Sequence, residues 1–248
     1  LWAVMLPEGA TEEDITHIMG QAAETAAECN IEIIGGHTEI TKAVNRPVIV
    51  STAVGRGFKG QSASASEIKP GDAILMTKTA GIEGTGIIAC DYEEELREVL
   101  SAEELEHAKS LLSKVSVVKD GIIAGRIGTH GMHDVTEGGI LGAVWEMCSI
   151  AGTGARLDAE AIPADDVTRR ICEHYDINML RLISSGSMLI MTEEDKKEEI
   201  IRELAAQGIP AAQIGKIVPK EEGLSICEGG KQTQIDPPGP DELYKIVK

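Results

Sequence analysis

Short apolar runs alternate along this chain with longer stretches whose apolar residues recur at helical spacing, and this alternation is what most constrains the fold. The apolar runs are rich in Ile, Val, Leu and Met and are too short to form buried helices, so they are typical of strands. The predicted strands are residues 2–6, 31–34, 48–54, 73–77, 188–191 and 214–218. The sequence therefore predicts a mixed α+β fold.

Helix starts are indicated where a Ser or Thr is followed three positions later by an acidic residue, the capping-box pattern. They occur at residues 11–14 (TEED), 101–104 (SAEE) and 192–195 (TEED). Both TEED segments follow a strand and precede a helix and a short strand. That plan is consistent with two α+β domains of related construction, and equally with repeated use of a common helix start.

The length of the chain allows two domains, each with its own core. Aromatic residues make up only 2% of the 248 residues, so these cores must be aliphatic. A Gly/Ser-rich connection at residues 55–66 places the boundary between them. Because the sequence opens directly on an apolar run, we expect residues 1–66 to be the remainder of an N-terminal domain, and residues 67–248 to form a C-terminal domain.

The charge and the cysteines exclude several classes of function. With 23 Lys and Arg against 41 Asp and Glu, the net charge of −18 repels phosphate backbones and argues against nucleic-acid binding. No run approaches the roughly 18 apolar residues that a membrane span requires. The five cysteines are scattered and lack CxxC spacing, which argues against a zinc site or a disulfide framework and indicates reduced thiols in the cytoplasm.

The segment HDVTEGG, residues 133–139, precedes an apolar helical pattern. In one interpretation Asp134 caps the helix and Glu137 completes a capping box. Capping does not explain Gly138 and Gly139, which cost roughly 1 kcal/mol each in a first helical turn. In the other interpretation the exposed N–H groups bind phosphate, with Mg²⁺ held between Asp134 and that phosphate. On these residues alone, capping is slightly favoured.

Other glycine-rich segments follow predicted strands. Gly35-Gly36-His37-Thr38 comes after residues 31–34, and residues 79–86 (TAGIEGTG) come after residues 73–77. Side chains and amides beyond the C-terminal end of a strand are where α/β proteins often place ligands. Residues 79–86 lack a P-loop lysine and GxGxxG spacing, and the Ser/Gly turn at residues 184–187 is not a GxSxG nucleophile elbow.

Taken in order, these segments resemble the aminoimidazole ribonucleotide synthetase superfamily. It includes selenophosphate synthetase, thiamine-monophosphate kinase and the hydrogenase maturation (expression/formation) factor that makes a thiocyanate ligand, and the sequence looks most like the last. The resemblance covers essentially the whole chain. The segments that carry it are residues 35–38, 70–72, 79–86, 116–118, 133–139 and 184–186.

The resemblance implies an α+β, two-domain fold of the aminoimidazole ribonucleotide synthetase type. The N-terminal domain would be ferredoxin-like, barrel-forming and ATP-binding, truncated here, and would form a homodimer through its strands. ATP and Mg²⁺ are the implied cofactors. Asp134 would be the catalytic residue and the metal ligand. The implied cofactor-binding residues are Gly35, Gly36, His37, Thr38, Gly84, Thr136, Gly138 and Gly139.

Departures from the family pattern leave the acceptor substrate unassigned. The position of His37 often holds an acid in relatives, and imidazole is a poorer Mg²⁺ ligand than carboxylate. The maturation factor uses a C-terminal cysteine, whereas residues 244–248 read YKIVK. We therefore expect an ATP-dependent ligase-, synthetase- or kinase-like enzyme that activates a small molecule or a protein terminus. The alternatives are a non-catalytic dimeric scaffold that binds a nucleotide or partner, and a small-molecule kinase.

Overall fold

The computed structural model describes residues 1–56 and 64–247. The chain divides into two compact units, Leu1–Phe58 and Lys59–Lys248, which we describe separately as unit 1 and unit 2. The connection expected at residues 55–66 lies partly outside the described residues.

Unit 1 contains one helix and a three-stranded sheet of order β2-β1-β3. Its elements are β1 (Trp2–Leu6), α1 (Glu12–Glu28), β2 (Gly36–Ile40) and β3 (Val48–Ser51). Strand β1 is parallel to β2 and antiparallel to β3. The predicted capping box at the start of α1 is confirmed, since the Thr11 side chain accepts from the Asp14 amide and the Asp14 carboxylate accepts from the Thr11 amide.

The strand predicted at residues 31–34 is wrong. This apolar run is irregular, and the second strand begins at Gly36 instead, so His37 and Thr38 lie within β2 rather than beyond the end of a strand. The physical reason is the close approach of β1 at this point. A Cβ at Gly36 would lie 1.8 Å from the Trp2 carbonyl oxygen, so glycine lets the two strands pair there.

Unit 1 has a thin core. Among its described residues, the buried apolar side chains are Val4, Leu6 and Ala26. Strand alternation places Val4 and Leu6 on the same face as Ile49, which lines a cavity of about 710 Å³ together with residues of α1. The opposite face carries Ala3, Met5, Val48 and Val50, and Val50 is exposed there.

Unit 2 is built on a seven-stranded sheet of order β10-β9-β6-β8-β4-β7-β5. Most neighbouring strands are antiparallel, whereas β6 and β9 are parallel. The strands are β4 (Ala73–Thr77), β5 (Gly131–Asp134), β6 (Gly154–Asp158), β7 (Met188–Thr192), β8 (Ala211–Val218), β9 (Leu224–Glu228) and β10 (Lys231–Gln234). The strands predicted at residues 73–77, 188–191 and 214–218 are confirmed.

Helices cover both faces of this sheet, which is why β4 and β7 are buried at every position. The helices are α2 (Ile82–Asp91), α3 (Glu93–Leu96), α4 (Ala102–Ser110), α5 (Val118–Ile127), α6 (Gly139–Ala151), α7 (Asp166–His174) and α8 (Lys197–Ala206). Ile74 and Met76 pack with α6 in one cluster, whereas Ala73 and Leu75 pack with α5 and α8 in another. The core is therefore split by the sheet into two aliphatic layers.

A third apolar cluster joins α2, α4 and α7 to the last residues of the described chain. Leu243 and Ile246 are buried in it, and the Tyr92 hydroxyl donates to the Ile246 carbonyl at 2.7 Å. The C-terminal segment is thus part of the folded core of unit 2. Across residues 1–56 and 64–247, no helix combines the length and the apolar character needed to cross a membrane.

Two predicted helix starts in unit 2 are wrong. Asp134 does not cap α6, because it belongs to β5, and the helix begins at Gly139 after a left-handed Gly138 with no side-chain cap. Likewise Thr192 ends β7, paired with Ala73, and α8 begins only at Lys197. Both residues are held in strands by pairing with a neighbouring strand, so neither can cap a helix. The capping box predicted at residues 101–104 is confirmed at the start of α4.

The buried thiols give a first prediction. Desolvation raises the pKa of Cys148 to about 11 and that of Cys172 to about 12, whereas Cys90 is exposed. We expect iodoacetamide at pH 8 to alkylate Cys90 in the folded protein much faster than Cys148 and Cys172, as measured by peptide mass spectrometry.

The raised pKa values of Cys148 and Cys172 also make the free energy of unfolding fall as the pH rises above the ordinary thiol value of 9.0, because the thiols of the unfolded chain lose their protons at a lower pH than those of the folded protein.

Alkylation in concentrated urea provides the control for accessibility, since all five cysteines should then react at similar rates. Equal rates at Cys90 and Cys172 in the folded protein would contradict the buried position of α7.

Candidate functional site

The first predicted segment, residues 35–38, lies in unit 1 on an exposed edge strand. Gly36, His37 and Thr38 pair with Trp2, Ala3 and Val4 of β1, and Gly35 accepts the Trp2 amide at 3.0 Å. The His37 ring lies 3.3 Å from the Glu39 carboxylate, and both side chains are exposed. His37 therefore has an acidic neighbour on the same strand face, a feature that the motif alone did not reveal.

In unit 2 the antiparallel pairing of β4, β7 and β5 brings three loops to one edge of the sheet. Asp134, the last residue of β5, is opposite Met188, the first residue of β7. The Met188 amide in turn donates to the hydroxyl of Thr77, the last residue of β4. The loops that leave or enter these three positions are residues 78–81, 135–138 and 184–187. Segments far apart in the sequence thus meet at one place.

Asp134 is an accessible carboxylate at this edge, and Glu137 in the following loop is exposed as well. The Asp134 side chain is 54% exposed and lies 3.4 Å from the His133 ring, which also contacts Glu146 at 3.0 Å. The next residue, Val135, is buried and donates its amide to the Ser187 carbonyl. The backbone at Asp134 is therefore fixed by strand pairing with Met188 and by the bond from Val135 to Ser187, while its carboxylate is exposed. An exposed carboxylate on a fixed backbone can bind a ligand from solvent.

The glycine pair that follows has a local structural cause. Gly138 has φ 79° and Gly139 has φ 60°, both in the left-handed region that favours glycine. A Cβ at Gly139 would lie 2.6 Å from the Leu180 carbonyl oxygen, so the chain itself makes the close approach. The Gly139 amide donates to the carbonyl of Thr136, which closes the turn before α6.

The Gly138 amide is bonded to a carboxylate that the sequence did not mark. It donates to Oδ2 of Asp241 at 2.7 Å, while Ile183 and Leu243 donate their amides to Oδ1 at 3.2 and 2.8 Å. Asp241 is only 3% exposed. An anion does sit at the start of α6, as the dipole favours, but it belongs to the C-terminal segment.

The glycine-rich segment at residues 79–86 leads into α2, with Gly81 in a left-handed conformation at the start of the helix. The Gly84 amide donates to the Ile183 carbonyl at 3.0 Å, and a Cβ at Gly84 would lie 2.5 Å from the Leu182 side chain. Since the Ile183 amide is bonded to Asp241, residue 183 links the two glycine-rich loops. The structure therefore brings Gly84, Gly138 and Gly139 together around residues 180–183.

The two histidines in and before β5 have carboxylate partners, but only His133 lies near this edge, since His130 precedes the first residue of the strand. His133 contacts Glu146 and Asp134, and the His130 ring lies 2.8 Å from the buried Asp72 carboxylate. Asp72 also accepts the Lys69 amide at 3.0 Å, so the turn at residues 70–72 and His130 stabilise each other. These contacts give both histidines structural partners, whereas the Asp134 carboxylate is accessible at the edge.

The donor set limits what kind of metal site is possible. Within the described ranges, no group of three or more His, Cys, Asp or Glu side chains is arranged to hold an ion. Mg²⁺ does not require such a cage, because it commonly binds one or two carboxylates together with phosphate oxygens and water. The exposed Asp134 carboxylate fits that limited role.

The position of Asp241 gives a second prediction. We expect Asp241→Ala to lower the free energy of unfolding by about 2–4 kcal/mol, because it leaves buried amides without an acceptor. Urea denaturation followed by circular dichroism measures the change. Asp236→Ala is the matched control, since this neighbouring side chain is exposed, and it should shift the value by less than about 0.5 kcal/mol. Equal stability of both variants would show that the C-terminal segment is not anchored by Asp241.

Comparison with known proteins finds relatives of similar sequence. The chain is 26% identical over 248 residues to the carbamoyl dehydratase HypE of Escherichia coli, which covers 98% of this chain and 70% of that protein. It is 25% identical over 250 residues to a putative hydrogenase expression/formation protein of Methanocaldococcus jannaschii, covering 98% of this chain and 71% of the relative.

Solved structures share the fold. The crystal structure of E. coli HypE matches with a TM-score of 0.79 and 23% identity, over 99% of this chain and 75% of that one. A HypE structure in complex with ATP matches with a TM-score of 0.74 and 19% identity, over 99% and 74%. Thiamine-monophosphate kinase from Stenotrophomonas maltophilia matches with a TM-score of 0.72 and 18% identity, over 95% and 72%. The expected aminoimidazole ribonucleotide synthetase-like fold is thereby confirmed.

The family model for the C-terminal domain of AIR synthase related proteins matches residues 69–227. These residues include the glycine-rich loops, Asp134 and the turn at residues 184–187, and they make up more than half of the chain. The chain therefore belongs to the AIR synthase-related protein family.

Proposed function

We propose that this protein is an ATP-dependent enzyme of the hydrogenase-maturation type, which activates the oxygen of a carboxamide-like acceptor by phosphoryl transfer. The observation that carries the proposal is the meeting of the two glycine-rich loops beside an exposed Asp134, in a fold that a solved relative shares in complex with ATP. The related E. coli protein is a carbamoyl dehydratase.

The chemistry follows from what dehydration of a carboxamide requires. The amide oxygen is a poor leaving group, so it must first be converted to a better one. Attack of that oxygen on the γ-phosphorus of ATP forms a P–O bond and releases ADP. Loss of the nitrogen-bound protons with cleavage of the C–O bond then releases phosphate and leaves a nitrile. The protein contributes positioning and charge stabilisation, which dominate catalysis of phosphoryl transfer.

Within this proposal the sequence-predicted residues keep their expected roles. Asp134 is the candidate Mg²⁺ ligand, and Mg²⁺ supplies neutralisation of the phosphate charge when it is bound. The candidate cofactor-binding residues of unit 2 are Thr136, Gly138, Gly139 and Gly84, which shape its loops. Residues 35–38 of unit 1 stay a predicted cofactor-binding segment. A reducing cytoplasmic location suits the five free cysteines.

We further propose that unit 1 forms a homodimer through the open face of its sheet, which carries Ala3, Met5, Val48 and Val50. A unit of this size with so few buried apolar side chains lacks the core that independent stability requires. Burying this face against a second copy supplies apolar contact and covers Val50, which is half exposed. The net charge of −18 keeps the remaining surface soluble.

A specific observation favours the non-catalytic scaffold as the second candidate. The Gly138 amide, the donor expected to meet a phosphate, is already bonded to Asp241. With His37 in place of an acid, the protein would then bind a nucleotide or partner without turnover. A small-molecule kinase is the third candidate, based on the likeness to thiamine-monophosphate kinase.

Phosphate release tests the catalytic proposal. We expect slow release of inorganic phosphate from ATP and Mg²⁺, and a decrease of about tenfold or more in Asp134→Ala, since the candidate ligand of the Mg²⁺ that neutralises the phosphates is lost. Asp195→Ala is the control, because Asp195 is exposed and lies on the other end of β7. Circular dichroism checks that both variants fold.

Each alternative has its own outcome in this assay. Unchanged turnover in Asp134→Ala would remove Asp134 from the site. ATP binding in a titration without any phosphate release supports the scaffold. A phosphorylated product found by mass spectrometry after incubation with thiamine monophosphate supports the kinase.

Sedimentation velocity tests the assembly. We expect a dimer for the unaltered protein and a monomer for Val50→Glu, because a carboxylate in the buried interface is strongly unfavourable. Ile150→Glu is the matched control, since Ile150 is an exposed apolar residue on α6 of unit 2, and it should leave the dimer intact. A monomeric unaltered protein would contradict the proposed interface.

A further inference from the structure

Lys78, directly after β4, has an unusual backbone conformation for its residue type. Its φ is 55°, in the left-handed region. Glycine adopts this conformation freely, and Asn or Asp can support it through local hydrogen bonds, but a lysine side chain offers neither advantage. Such strain persists only where the surroundings enforce it, and it tends to occur at functional sites. The side chain of Lys78 must therefore contribute something that glycine would not.

That contribution is a fully bonded ammonium group. The Lys78 Nζ donates to Asp120 Oδ1 at 2.8 Å, to the Gly186 carbonyl at 2.7 Å and to the Ser116 carbonyl at 3.1 Å. An ammonium has three donors, so all of them are used. The Lys78 side chain is 15% exposed and that of Asp120 only 2%, which makes this a buried ion pair.

The bond from Lys78 to the Gly186 carbonyl reaches the loop at residues 184–187, which in turn is bonded to residues 79–81, directly after Lys78. Within residues 184–187, the Ser184 hydroxyl accepts the Gly81 amide at 2.8 Å, and the Ser187 hydroxyl donates to the Thr79 carbonyl at 2.6 Å. The loop at residues 79–81 is therefore held by residues 184–187, which are held in turn by Lys78. The hydrogen bonds therefore form a closed path, from Lys78 to Gly186 and from Ser187 back to Thr79.

The backbone conformation of Gly186 fixes the direction of the carbonyl that accepts from Lys78. Its φ of 108° favours glycine, and a Cβ at this position would lie 2.6 Å from the Lys114 carbonyl oxygen. The carbonyl of Gly186 is thus directed by a backbone that few other residues could adopt. Both ends of the contact between Lys78 and Gly186 are specified by unusual backbone conformations.

We propose that Lys78 is a positioning residue, which holds the loops at residues 79–81 and 184–187 in the single arrangement that phosphoryl transfer requires. Because Asp120 neutralises its charge, Lys78 acts through these loops and not as a direct cation for the phosphates. The inference rests on the proposed function, and it assigns the buried pair of Lys78 and Asp120 a role in the rate of the reaction beyond stability.

The test compares Lys78→Gly with a double variant, Lys78→Gly with Asp120→Asn. Glycine accepts the left-handed backbone, and the second substitution avoids leaving a buried charge alone. Lys109→Met is the matched control. Lys109 is 21% exposed and pairs with Glu93 and Glu106 around α4, away from both loops.

Two readouts are measured on each variant: hydrogen exchange at the amides of residues 79–81 and 184–187, and kcat and KM for ATP. We expect both Lys78 variants to exchange these amides at least tenfold faster, and kcat to fall at least tenfold while KM stays within threefold. Lys109→Met should lower thermal stability without either effect. A merely structural role would lower stability in all three variants and leave kcat unchanged below the melting transition.

The outcomes separate the two proposals. Unchanged exchange in these loops overturns the positioning role, as does faster exchange with unchanged kcat. If the unaltered protein releases no phosphate, the proposed catalytic function fails, and the exchange measurement by itself decides whether Lys78 fixes the loops.

Discussion

The antiparallel pairing of β4, β7 and β5 is the constraint on which the candidate site depends. It places the end of β4 at Thr77, the start of β7 at Met188 and the end of β5 at Asp134 side by side. Since β4 and β7 are buried on both faces, a shift of their register by one residue would exchange the two aliphatic layers of the core. The same burial that stabilises unit 2 therefore fixes which loops meet. Strand pairing by itself therefore brings the glycine-rich segments together, without a requirement for direct contacts between them.

The sequence was sufficient where local chemistry and tertiary structure agree. The strands at residues 73–77 and 188–191 are continuous apolar runs, and the capping boxes at Thr11 and Ser101 form as expected. It failed where strand pairing competes with a local pattern. Asp134 and Thr192 both have acceptable cap sequences, but each is held in a strand. A capping box contributes about 1 kcal/mol, which a buried sheet readily outweighs.

Other site residues carried no usable signal in the sequence. Lys78, Asp120 and Asp241 are charged side chains in a chain with many charges, and nothing in their spacing distinguishes buried from exposed positions. Their roles depend on contacts over long separations, such as Asp241 with Gly138 and Lys78 with Gly186. The glycines were recognisable as positions of close approach, but whether a ligand or the chain itself approaches is decided by the tertiary fold.

The electrostatics of the loop region bear on how a nucleotide could bind there. Lys78 is neutralised by Asp120, and Asp241 adds a buried negative charge beside the start of α6. In a chain of net charge −18, the phosphates of ATP would meet little compensating positive charge from these residues. Backbone amides and a divalent cation are then the means by which the proposed enzyme could accept them, which is why an exposed carboxylate such as Asp134 is more useful at this edge than a further lysine. A cation bound between Asp134 and the phosphates would turn an acidic residue from a source of repulsion into a point of attachment.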